Sequence, residues 1–160
     1  MAMVACQNHQ QNKAPEYQDV REELINYNKK KAEDESNRIK AFVKQKKWPT
    51  TVSGTGLHYY IYQHGGGDSA KTHDMAEVRY KVSLLDGTLC YELKEDQSEV
   101  FTIGQDDVES GLHEAMLYMR EGDKAYLVLP SHLAYGLTGD QSKIPRDASL
   151  VYDIELISLR

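Results

Sequence analysis

Gly111–Tyr135 (GLHEAMLYMREGDKAYLVLPSHLAY) changes its hydrophobic period midway, and that switch leaves little choice of architecture. Leu112, Ala115, Met116 and Met119 recur at i, i+3, i+4 and i+7, so they share one helical face. Glu114, Arg120 and Glu121 fall away from that stripe. Ser110 is the predicted N-cap and Gly122 the predicted left-handed stop, which confines the helix to about two or three turns. The period then drops to two. Ala125, Leu127 and Leu129 alternate with Lys124, Tyr126 and Val128, the pattern of a strand with one buried face. Pro130 ends that strand, and the loop Ser131–Gly136 delivers Tyr135. A short helix feeding straight into a core strand predicts a sheet wrapped around the helix.

The same alternation marks the other strands. Ala76, Val78, Tyr80, Val82 and Leu84 oppose Glu77, Arg79, Lys81 and Ser83. Asp86-Gly87 signals a hairpin to Thr88–Leu93, and Val100–Ile103 follows a charged loop. Leu150, Tyr152, Ile154 and Leu156 face inward on a closing strand. Leu57, Tyr59 and Ile61 mark the first strand, after a linker at Thr50–Gly56. Gly65-Gly66-Gly67 has no following Lys-Ser/Thr or helix, so it reads as a flexible turn and not a phosphate loop. Antiparallel strands with one covered and one wet face predict an α+β fold, a half-barrel sheet around one short helix.

Ahead of the sheet, Pro15–Lys47 lacks internal Gly and Pro, with acidic residues early and lysines late, as the helix dipole favours. Its apolar stripe is thin: Val20, Leu24 and Tyr27, then a polar middle, then Ile39, Phe42 and Val43. Two readings follow: a stalk or homodimerisation arm, or a helix docked by its C-terminal half. The predicted division is a tether at 1–14, a helical extension at 15–49 and a domain at 50–160.

The net charge of −6, with both signs interspersed, argues against nucleic acid as a partner. No apolar run approaches the length that spans a bilayer. The 11 tyrosines, against two Phe and one Trp, suit a sheet and pocket lined by amphipathic rings. His58, His64, His73, His113 and His132 have no metal-ligand spacing and read as surface or loop residues, with His113 near a pocket rim. Cys90 reads as a small buried thiol that does not pair with Cys6. Neither a metal nor a cofactor is expected.

With its continuation GLTGDQSKIPRDASLVYDIELISLR, the central stretch resembles the FKBP-type peptidyl-prolyl isomerases. The shared pattern is a Gly-led helix, the strand Ala125–Leu129, then LAYG, IP and the strand LVYDIEL, reaching back to Ala76 and more loosely to Leu57. The resemblance implies catalysis of rotation about X–Pro bonds, whose barrier is about 18–20 kcal/mol. No proton or covalent bond need move. A dry aromatic pocket favours the twisted amide over the planar one, which water solvates better.

The resemblance further implies that Tyr80, Phe101, Val108, Tyr135, Ile144 and Tyr152 line that pocket, with Tyr80 and Tyr135 as the catalytic pair. Tyr135 would offer its hydroxyl, and Glu109 its backbone N–H, to carbonyls of a proline-containing segment. Glu109 stands where Ile or Val is usual and adds an acidic rim. Leu112 replaces a floor Trp, Cys90-Tyr91 replaces Phe-Asp, and Asp140 replaces a His or aromatic residue. The variant with Tyr91 and SHLAYG is most similar to the gliding-motility-associated FKBP-type lipoproteins of bacterial envelopes. The expected role is folding assistance to exported proteins; the alternative is a weakly active or non-catalytic proline-binding chaperone. Val4-Ala5-Cys6 before a polar run resembles a lipoprotein cleavage site, but without the basic and apolar parts of such a signal. Cys6 is thus the expected lipid attachment point of an envelope or periplasmic protein, against a soluble tail, with the cytoplasm as the alternative location.

Overall fold

The computed structural model describes residues 17–160, so Cys6 and the 1–14 tether lie outside it. Helix α1 (Tyr17–Lys46) is followed by β1 (Thr51–Val52), β2 (His58–Gln63), β3 (Met75–Leu84), β4 (Leu89–Glu92) and β5 (Glu99–Thr102). Then come α2 (Ser110–Met116), β6 (Lys124–Leu129), a 3₁₀ turn (Ser131–Leu133) and β7 (Leu150–Leu159). The sheet runs β1-β2-β6-β7-β3-β4, with β5 also on β3. All of these pairings are antiparallel. Strands β3 and β7 form its spine, paired from Ala76↔Leu159 to Leu84↔Leu150. The result is the α+β sheet around one short helix that the period switch predicts.

The chain divides into two units after Asp34. In the first, Val20, Leu24, Ile25 and Tyr27 are exposed on α1. In the second, Leu112, Ala115, Met116 and Met119 are buried in one cluster with Leu127, Leu129 and Ile154. Gly111 lets α2 approach the sheet that closely. A Cβ there would lie 2.6 Å from Leu129 Cδ2 and 3.0 Å from the Leu133 carbonyl oxygen.

Several local expectations are corrected. Glu109, not Ser110, is the residue before the first turn, and the Ser110 hydroxyl donates to the Leu133 carbonyl (3.5 Å) instead of capping. The helix ends at Met116, and Gly122 (φ 87°) serves the turn entering β6. The predicted linker contains β1, which pairs Thr51 with Tyr59 and Val52 with His58. His58 is buried and shares a hydrogen bond with Thr50 Oγ1 (3.2 Å). Burial, with Lys40 nearby, lowers its pKa and favours the neutral ring. The Gly65–Gly67 turn is not loose. Gly65 N–H donates to the buried Asp123 carboxylate (2.6 Å), and Gly67 N–H donates to the Glu121 carbonyl (3.2 Å).

The outer sheet face is not uniformly wet. Val128 and Val151 are buried there against Ile39 and Val43 from the end of α1, the docked arrangement of that helix half. Trp48 stacks on Tyr126 (4.1 Å between centroids, 4° between planes) beside them. Glu35, also buried, accepts the Ser131 N–H (2.7 Å) and the hydroxyls of Ser131 (3.1 Å) and Ser149 (2.7 Å). It thereby ties α1 to the start of the loop that carries Tyr135.

Candidate active site

Strands β3, β4, β5 and β7, the start of α2 and the loop after Pro130 converge on a cavity of about 520 Å³. Alternation aims the walls. Tyr80 and Val82 share the inner face of β3, and Tyr152 pairs with Val82 from the inner face of β7. Glu99 and Phe101, two residues apart on β5, also point inward, and Tyr91 enters from β4. Val108 and Glu109 precede α2, Leu112 from its first turn lies beneath, and Ala134 and Tyr135 close the loop side.

Of the residues singled out from the sequence, Tyr80, Tyr91, Phe101, Val108, Glu109, Leu112, Tyr135 and Tyr152 line this one cavity. Ile144 does not. It is buried in the core cluster that also holds Phe101, Leu112 and Tyr152, and its N–H and C=O both bond Asp140, at 2.7 and 3.1 Å. His113 also stays outside the lining. Its Nδ1 accepts the Gly104 N–H (2.9 Å), so Nε2–H donates to the Asp106 carbonyl (2.9 Å) while the ring edge meets Phe101.

The pocket is aromatic but not purely apolar. The rings of Tyr80 and Tyr152 meet edge-on at 5.7 Å. Tyr80 donates its hydroxyl to Glu99 (2.5 Å), Tyr152 donates to Glu109 (2.6 Å), and Tyr91 donates to Asp140. Tyr135, 37% exposed, lies within electrostatic reach of Glu109. Burial first, and the adjoining carboxylates second, push the Tyr80, Tyr135 and Tyr152 hydroxyls well above the usual tyrosine range, so all three remain donors. Cys90 lacks thiolate character: burial raises its pKa, and Sγ lies 3.8 Å from the carbonyls of Thr88 and Lys143. Among the described residues no group of three or more His, Cys, Asp or Glu is placed to hold a metal. The lining can bind and orient a chain segment without a nucleophile.

The family model for FKBP-type peptidyl-prolyl cis-trans isomerases matches residues 66–157. The chain belongs to that family. An FKBP-type isomerase architecture accounts for β3–β7 and α2, all of which fall wholly or almost wholly within the matched span. The chain is 34% identical over 119 residues to the FKBP-type peptidyl-prolyl cis-trans isomerase FkpA of Escherichia coli, covering 74% of this chain and 43% of that protein. It is 36% identical over 107 residues to the macrophage infectivity potentiator of Trypanosoma cruzi, covering 66% and 54%. The chain therefore spans about half the length of these curated relatives. The crystal structure of E. coli FkpA superposes with a TM-score of 0.69 at 28% identity, covering 91% of this chain and 73% of that one.

Sequence reasoning missed Glu99 and Asp107, which also line this FKBP-type pocket. For Glu99 a signal existed: it lies two residues from Phe101 on one strand and so shares its face. Asp107 sits in an irregular loop that carries no such period.

Proposed function

We propose that this protein is a peptidyl-prolyl cis-trans isomerase that binds proline-containing segments in the β3–β7 pocket. The observation that carries the reading is the aromatic cavity of about 520 Å³, in a chain that belongs to the isomerase family. The proline ring packs among Tyr80, Phe101, Val108 and Tyr152, and water is excluded from the amide as it twists. The Glu109 N–H, which precedes the first turn of α2 and lies outside its hydrogen-bond ladder, takes a peptide carbonyl. Tyr135, partly exposed at the loop side of the pocket, takes another through its hydroxyl. A refolding protein limited by an X–Pro bond tests this. Catalytic amounts of the isomerase should speed its slow phase, and Phe101→Ala should abolish the effect. An unchanged phase would refute the reading.

A second reading, a binding module with little turnover, is favoured by Tyr91 and Leu112 standing where the resemblance expects Asp and Trp. Retarded refolding of a held client would support it.

The wider role proposed is folding assistance to exported proteins in a bacterial envelope, with Cys6 as a lipid attachment point of the kind found in the gliding-motility lipoproteins. Among the described residues no helix is long and apolar enough to cross a membrane. Membrane association should then depend on Cys6, and a Cys6→Ser protein that still partitions into detergent would defeat the anchor. A homodimer through α1 is proposed from the exposed Val20, Leu24 and Tyr27, which recur at i, i+4 and i+7. Sedimentation should find a dimer, and Leu24→Glu should yield monomers; a monomeric parent protein would contradict it.

A further inference from the structure

We propose that Glu109 makes this pocket select proline segments carrying Lys or Arg next to the proline, and disfavour those carrying Asp or Glu there. The inference rests on the proposed function, and the site itself stands on its aromatic lining and family membership. What is added is the charge.

Three carboxylates line the cavity, those of Glu99, Asp107 and Glu109, and none of its lining residues is Lys or Arg. Two of them are held in place. The Tyr152 hydroxyl, on a ring only 2% exposed, donates to Glu109 Oε1 at 2.6 Å and fixes that side chain at the cavity. The Tyr80 hydroxyl does the same for Glu99 Oε2 at 2.5 Å. Both donors are neutral, so they orient the carboxylates without cancelling their charge. Lys143 is a cation on the β4 side of the site, with Nζ 5.0 Å from the centroid of the Tyr91 ring, whose hydroxyl meets Asp140. A substrate Lys or Arg would lay its aliphatic stem on the tyrosine rings and place its cation at Glu109. An acidic side chain in the same place would meet a fixed like charge, and such repulsion sharpens selectivity as much as attraction does.

The test compares kcat/KM, and separately Kd, for peptides with Lys, Leu or Glu immediately before proline and for a second set with them immediately after it. At low salt the Lys peptide should exceed the Glu peptide by about 5- to 30-fold in at least one set, the range of one exposed ion pair gained and one like-charge contact avoided. The ratio should shrink severalfold at about 0.5 M salt, where exposed charges are screened. It should also shrink severalfold in Glu109→Gln, which keeps an oxygen for Tyr152. A Lys-to-Glu ratio near one in both sets, or a ratio that Glu109→Gln leaves intact, would overturn the proposal. If no peptide is turned over, the isomerase reading fails instead, and the same ratio read in Kd still decides the selectivity.

Discussion

In and beside the pocket, tyrosine hydroxyls end on carboxylates: Tyr80 on Glu99, Tyr152 on Glu109 and Tyr91 on Asp140. For Tyr80, Tyr135 and Tyr152 the folded-state pKa is raised above the unfolded value near 10. The protonated form is thus favoured by folding, and its contribution is fully present below pH 10. Above about pH 10 the unfolded chain loses tyrosine protons first, so stability falls as pH rises toward the folded-state values. The urea midpoint should therefore stay flat between about pH 8 and 9 and drop above about pH 10, with tyrosinate absorbance of the folded protein lagging behind that of free tyrosine. Ordinary titration of all its tyrosines near pH 10 would contradict the buried donor network. The aromatic positions themselves were legible from strand alternation and the LAYG motif. The destinations of their hydroxyls were not, because the three acceptors lie 19, 43 and 49 positions away in the chain. The acid of Glu109 is expected at the rim, and Glu99 and Asp107 join it in the lining.

Among the elements, α1 shows what periodicity alone leaves open. Ile39 and Val43 were visible as an apolar stripe, and both are buried, on Val128 and Val151. Glu35, one turn earlier, read as part of a solvated polar stretch. A carboxylate looks the same in sequence whether it meets water or, as here, three donors from Ser131 and Ser149. The same helix explains why Val128, assigned by alternation to a wet face, is fully buried. Glu35→Ala would leave a buried N–H and two hydroxyls without their acceptor and should cost about 1–3 kcal/mol in urea unfolding. Because Ser131 starts the loop to Tyr135, turnover should fall as well. A variant with parent-like stability would show that the clasp is not needed.

At the scale of the molecule, the cavity belongs to no single segment. Strands β3, β4, β5 and β7, the first turn of α2 and the loop after Pro130 each contribute wall residues. The fold was legible because the helix-to-strand switch at Gly111–Tyr135 and the alternating strands all require one sheet around one short helix. Ile144 is absent from the wall: the motif gives its position along the chain, while its burial in the core cluster and its backbone bonds to Asp140 appear only in the fold. The central claim is that this cavity catalyses X–Pro rotation by packing and a hydroxyl anchor. Exchange NMR on a short X–Pro peptide with catalytic amounts of protein measures it directly. The parent protein should produce cis–trans exchange cross-peaks. Val108→Ser should remove most of the exchange rate, because it wets the pocket and loses contact with the proline ring. Tyr135→Phe should lower the rate only about 2- to 12-fold, the worth of one neutral hydrogen bond. Exchange unchanged in both variants would place the chemistry elsewhere, and no exchange with the parent protein would contradict the claim outright.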